Sequence, residues 1–176
     1  MRVEAKCKTA ARTEFAQPHS RGKNRLLLLQ HRRSLLIHQD GALELAEATY
    51  LSCGSDETGR PLDGANRYVL RFDSGQLPPV KAFWSLSMYE TTPEGSAFFT
   101  ANPIGRYAIG DRTRGLERGT DGSLEISIQH ARPAENQESN WLPAPPGPMR
   151  LVLRAYEPAD ALIDGRYDVP PVRRLP

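Results

Sequence analysis

From residue 48 onward, apolar and polar residues alternate in short runs, the two-residue period of half-buried strands. In NRYVLRF (66–72), Tyr68, Leu70 and Phe72 fall on one side, and Arg67, Val69 and Arg71 on the other. In AFWSLSMY (82–89), Trp84, Leu86 and Met88 oppose Phe83, Ser85, Ser87 and Tyr89. In LEISIQH (124–130), Leu124, Ile126, Ile128 and His130 point inward, while Glu125, Ser127 and Gln129 face out. In MRLVLRAY (149–156), Leu151 and Leu153 share a face. ATYLSC (48–53), AFFTA (97–101) and RYAIG (106–110) read as shorter strands, and the stretch from Tyr167 to Val172 supplies an eighth. Turn signals separate the runs. Asp63-Gly64 and Asp121-Gly122 offer the positive φ of tight turns. Leu77-Pro78-Pro79 and LPAPPGP (142–148) cannot pair in mid-sheet.

Short strands joined by turn-rich loops, with no helical pattern between them, predict a mainly β protein. The strand count points to an antiparallel jelly-roll β-sandwich over residues 41–176. Its expected core comprises Tyr68, Leu70, Phe72, Trp84, Leu86, Met88, Leu124, Ile126, Ile128, Leu151 and Leu153. Ahead of it, residues 1–40 form a short, partly helical or disordered extension. Leu26, Leu29, Leu36 and Ile37 outline a helical stripe over Arg25–Leu45, and residues 1–24 are expected to be loosely held.

Charge sharpens that division. The net charge of +2 conceals nine Lys/Arg against three Asp/Glu in residues 1–40, and fourteen against eighteen in residues 41–176. A basic segment invites a nucleic-acid reading, but it holds no aromatic residue besides Phe15 and no recognition motif, so no nucleic-acid partner is expected. The two cysteines, Cys7 and Cys53, form no CxxC pair. No apolar run is long enough for a transmembrane segment, and none reads as a secretory signal.

Established catalytic motifs are absent: no GxSxG elbow, no phosphate-cradling GxxxxGK[ST] loop and no GxGxxG fingerprint. His130 is the one histidine of the strand region, His19, His31 and His38 lying in the basic segment, so neither a metal nor a cofactor is expected. What remains are polar loops, where ligand sites on rigid sandwiches usually lie. The run 102–113 contributes Asn102, Arg106, Tyr107, Asp111 and Arg112, and the run 129–143 contributes His130, Glu138, Asn140 and Trp141. His130 with Glu138 or Asp111 has the makings of a general acid/base pair. Asn102, Arg106, Tyr107, Arg112, Asn140 and Trp141 are the candidate ligand-binding residues. Taken singly, each has a stronger structural reading. Asn102 before Pro103 is a turn residue, Asp111-Arg112 a turn with a surface charge, His130 a satisfied buried imidazole, and Trp141 a core plug.

The segments RPLDGANRYVLRF, GQLPPVKAFWSLSMY, FFTANPIGRYAIGDRT, DGSLEISIQHARP, ESNWLPAPPGPMRLVLRAY and DGRYDVPPVRR occur in this order. Together they make the chain from about residue 48 onward resemble the domain of unknown function 1214, the C-terminal jelly-roll domain of the paired 1254/1214-type proteins. The resemblance implies a jelly-roll sandwich and brings no established reaction or catalytic residues. It also implies a companion domain ahead of this one, often behind an export signal. Residues 1–40 do not resemble that companion, which suggests a truncated or misread gene, or a stand-alone remnant whose leading segment replaced the lost domain. A face left uncovered by its loss would favour self-association, with Leu26–Ile37 at the contact.

Two functions from different classes follow. One is a non-catalytic binding or assembly module presenting polar loops to a small polar ligand, a glycan or a partner domain. The other is a hydrolase-type enzyme using His130 with Glu138 or Asp111. The position of His130 separates them: buried among Leu124, Ile126 and Ile128 with no cavity beside it, it could not serve as a base.

Overall fold

The strict alternation of residues 82–89 builds the central element of the protein, described by a computed structural model for residues 47–176 and the pair Leu35–Leu36. This strand, β4 (Val80–Thr91), pairs antiparallel with β9 (Met149–Pro158) so that Trp84, Leu86 and Met88 lie opposite Ala155, Leu153 and Leu151. Both strands therefore bury their apolar face on the same side. β9 in turn pairs with β2 (Ala48–Cys53), and β2 with β1 (Leu35–Leu36). On its other edge, β4 carries β5 (Ala97–Phe98) near its end and β6 (Ala108–Gly110) along its middle.

A second sheet has the order β10–β3–β7–β8, formed by β10 (Arg173–Arg174), β3 (Tyr68–Phe72), β7 (Leu124–Gln129) and β8 (Trp141–Pro143). In β3 and β7 the alternating residues meet in register, Tyr68 with Ile128, Leu70 with Ile126 and Phe72 with Leu124. The inner faces of the two sheets share one core containing all eleven residues that the alternation placed there. Leu62, Ile109, Leu142, Ala144, Met149 and Val172 complete it from the short strands β6 and β8, the start of β9 and the connections. Ile126 is fully buried at its centre. Trimming one methylene there, Ile126→Val, should cost about 0.5–1.5 kcal/mol, read as a lower urea midpoint at unchanged slope.

Several expectations change. Leu35–Leu36, placed in a helix by the Leu26–Ile37 stripe, is a strand on the edge of β2. An isolated helix of that length is marginal, whereas a sheet edge offers unpaired N–H and C=O groups to any extended segment beside it. The rest of the expected helix, and residues 1–24, lie outside the described residues. The strands expected over 97–101 and 106–110 shorten to Ala97–Phe98 and Ala108–Gly110, because Asn102 folds the intervening chain into a turn. The tail pairs at Arg173–Arg174, just beyond the expected Tyr167–Val172, after a single turn of helix, α1 (Asp160–Ile163).

The segment read as a proline loop (142–148) overlaps β8, which lies parallel to β7 within an otherwise antiparallel sheet. As an edge strand it tolerates Pro143, whose missing N–H has no ladder partner to serve. β7 ends at Gln129, so the alternation stops one residue before His130. Gln129 is buried and donates from Nε2 to the Ala131 carbonyl (2.8 Å), while His130 turns outward to solvent.

The connection from β2 to β3 is tied by Asp56, itself buried. Its Oδ1 accepts hydrogen bonds from Thr58 N (2.8 Å), Thr58 Oγ1 (2.7 Å) and Arg60 N (3.0 Å). Burial opposes the charge, but these donors outweigh it and hold the carboxyl below the usual Asp range. A depressed folded value stabilises the protein above the unfolded Asp value of about 3.9, and that stabilisation is lost as pH falls below it. Asp56→Asn should therefore flatten the acid limb of a stability-versus-pH curve. Asp56→Ala, which orphans three donors, should cost about 1–3 kcal/mol at neutral pH.

Candidate functional site

At one end of the two sheets, where the loop between β5 and β6 meets the chain leaving β7 and β8, a small cleft opens. Asn102, Arg106, Tyr107 and His130 line it, with Met88 and Thr100 on one side and Pro143–Pro145 on the other. Its enclosed part holds about 30 Å3, room for a water-sized group and no more. A ligand can insert only an end group here, and the rest of it must lie on the surface.

Asn102 shapes the loop that delivers Arg106. Its Oδ1 accepts from Arg106 N (2.9 Å), and its Nδ2 donates to Arg106 O (3.1 Å). Gly105, at φ 60°, supplies the left-handed residue that closes this turn. Arg106 then reaches across the cleft. Its Nη1 donates to the carbonyls of Glu138 (3.2 Å), Ser139 (2.9 Å) and Trp141 (2.8 Å), clamping the approach to β8. Among the described residues its Nε and Nη2 donors take no partner, so half of the guanidinium fork remains for a ligand.

His130 is fixed from the other wall by a 2.9 Å contact between Nδ1 and the Ala144 carbonyl. A carbonyl only accepts, so the proton sits on Nδ1, and Nε2 is the acceptor of the neutral ring. The expected burial of His130 among Leu124, Ile126 and Ile128 does not occur: it is an exposed residue beside a cleft.

The remaining candidates are engaged elsewhere. Asp111, also exposed, accepts from Trp84 N (3.2 Å) at the end of β6, and the Arg112 guanidinium lies 3.9 Å over the Phe83 ring. Glu138 is gripped by Arg132 through Nε (3.0 Å) and Nη2 (2.5 Å), and this pairing holds its carboxyl below the usual range. Asn140 straps the loop before β7, accepting from Glu117 N (2.9 Å) and donating to the carbonyls of Glu117 (2.7 Å) and Glu125 (2.9 Å). Trp141 is fully buried, on the side of β8 opposite Leu142, with Nε1 donating to Gln129 O (2.9 Å). Of the two proposed acid/base partners, neither carboxylate reaches His130 by a hydrogen bond.

The residue reading passed over an aromatic surface on the outer face of the larger sheet. Tyr89 stacks on Phe99 with ring centres 4.6 Å apart, and Phe99 leans on Tyr107 at 5.4 Å. Further along, Phe83 stacks on Tyr156 at 4.3 Å. Arg154 joins the two groups, donating to Ser87 Oγ (2.6 Å) and Tyr89 OH (2.5 Å) and lying 5.7 Å from the Tyr50 ring, which meets Tyr156 edge-on. The signal was present in the outward positions of 82–89, where Phe83 and Tyr89 stand among serines. Tyr107 belongs to both this surface and the cleft.

Among the described residues, no group of three His, Cys, Asp or Glu side chains could hold a metal ion. Among them too, no helix is long and apolar enough to cross a membrane. Residues 47–160 match the family described as "Protein of unknown function (DUF1214)". The chain belongs to this DUF1214 family. The match spans β2 to β9 and both walls of the cleft. No curated protein is significantly similar to the chain. Among solved structures, the VPA0106 protein from Vibrio parahaemolyticus is 29% identical with a TM-score of 0.66, over 77% of this chain and 32% of its own. An uncharacterized protein from Burkholderia cenocepacia is 18% identical with a TM-score of 0.44, over 73% of this chain and 29% of its own. This DUF1214 chain thus spans about a third of the length of these structures.

Proposed function

We propose that this DUF1214 domain is a non-catalytic binding module whose cleft receives the polar end group of a ligand. The observation that carries the reading is that His130, its Nδ1 paired with the Ala144 carbonyl, and Arg106, whose Nε and Nη2 take no partner among the described residues, line one cleft. Two polar groups held by backbone carbonyls in one small concave site suit recognition of a carboxylate or a hydroxyl pair. The hydrolase alternative would require a carboxylate to orient His130 or share its proton. Glu138 is held ionised by Arg132, and Asp111 is hydrogen-bonded at Trp84, so the arrangement favours binding over acid/base chemistry.

Titration with acetate, followed by the ring resonances of His130 and the amides of 104–107, tests this. Saturable shifts that disappear in His130→Ala are expected. Shifts that do not saturate, or that persist in the variant, would remove the cleft as the site.

A further inference from the structure

We infer that the ligand of this cleft is the terminal acidic sugar of a saccharide. Its carboxylate would lie between Arg106 and His130, and its ring would rest on Tyr107 and Phe99. The inference rests on the binding reading above and deepens it.

Three features of the surface lead there. The enclosed space admits one small group, so most of any ligand must lie outside, on whatever adjoins the cleft. What adjoins it is aromatic: Phe99 and Tyr107 remain 54% and 39% exposed, unusual for rings of that size on a protein surface. The two rings meet at an angle of 60°, and Phe99 is backed by Tyr89 stacked at 4.6 Å, so the platform is held in place before any ligand arrives.

A pyranose ring has the matching chemistry. One of its faces is a patch of C–H bonds, which the electron-rich face of an aromatic ring attracts. Its edge carries the hydroxyls and, in a hexuronate, the carboxylate. Nε and Nη2 of Arg106, which take no partner among the described residues, supply a planar fork for that carboxylate. His130 Nε2 accepts from a hydroxyl when neutral and donates to the carboxylate when protonated. The Thr100 hydroxyl in the wall is already spent on Glu90 (2.5 Å) and adds nothing to recognition. A neutral sugar would leave the guanidinium unmatched, and a small anion would leave the rings uncovered.

The test uses D-glucuronate, D-glucose and acetate as separate probes on the intact chain, with affinities from chemical-shift titration. Phe99→Ala serves as the variant, because its ring is exposed and lies outside the core. Glucuronate should bind more tightly than either other probe, and Phe99→Ala should weaken glucuronate by about three- to tenfold while leaving acetate unchanged. Equal binding of acetate and glucuronate, indifferent to Phe99, would overturn the saccharide and leave the cleft standing as a small-anion site. Glucose binding as well as glucuronate would overturn the acidic class. No saturable shift at His130 with any probe would overturn both this inference and the binding reading.

Discussion

Gly64→Ala should lower the unfolding free energy by about 3 kcal/mol or more, above the usual range for an added methyl group. A Cβ at this position would lie 1.7 Å from the Pro145 carbonyl oxygen and 2.9 Å from its carbon. Both are backbone atoms, so no side-chain rotation relieves the clash. Gly64 N also donates to Gly147 O (2.9 Å), which holds the two segments together at that separation. The displaced residues, Ala144 and Pro145, form one wall of the cleft, and Ala144 O is the partner of His130 Nδ1. The variant should therefore lose acetate binding along with stability. Urea unfolding and the His130 ring resonances report the two effects separately. A fully stable Gly64→Ala protein would show that the loop yields without cost.

Trp141→Ala should cost about 3–5 kcal/mol, the range for removing a fully buried large aromatic side chain. The loss is chiefly one of packing. Gln129 O, the acceptor of the indole N–H, also receives Ala144 N (3.0 Å), so removing the indole does not orphan it. Trp141→Phe keeps most of the volume and forfeits one hydrogen bond, so it should cost about 1 kcal/mol. Similar losses in the two variants would assign the stability to the hydrogen bond instead. Because Trp141 O is one of the three carbonyls held by Arg106, the alanine variant should also loosen the cleft. Denaturant midpoints of the two variants and their acetate titrations check both points.

The two residues illustrate different degrees of legibility. For Gly64 the sequence predicts a tight turn through a positive φ, and that reason does not hold. Its φ is not among the positive ones, and what demands glycine there is the approach of the Pro145 backbone, more than eighty residues away in sequence. Gly122, at φ 79°, does meet the local expectation, because turn geometry is set by neighbouring residues. Trp141 reads as buried from its chemistry alone. That it lies in a parallel edge strand depends on where the chain returns after β7.

The candidate site divides in the same way. The polar loops at 102–113 and 129–143 are visible as concentrations of Asn, Arg, Tyr and His, and four of their candidate residues, Asn102, Arg106, Tyr107 and His130, do line one cleft. The choice among them was not visible. Asp111, Glu138 and Asn140 carry the same functional groups that ligand sites use, yet each is consumed by a partner close in space. His130 was placed inside by extending the two-residue period one position too far. Periodicity marks a face only while the strand lasts, and β7 ends at Gln129.

By itself, the sequence determined the strands with long alternating runs, their inward faces and the single core that these faces form. Each of those properties is repeated along the chain, and a one-residue slip would expose a whole set of apolar side chains. Only the tertiary structure decided the parallel pairing of β8, the edge strand at Leu35–Leu36, the outward turn of His130 and the meeting of Tyr107 with Phe99. These features depend on where a strand ends or on which segments meet in space, and no local pattern of apolar and polar residues encodes either.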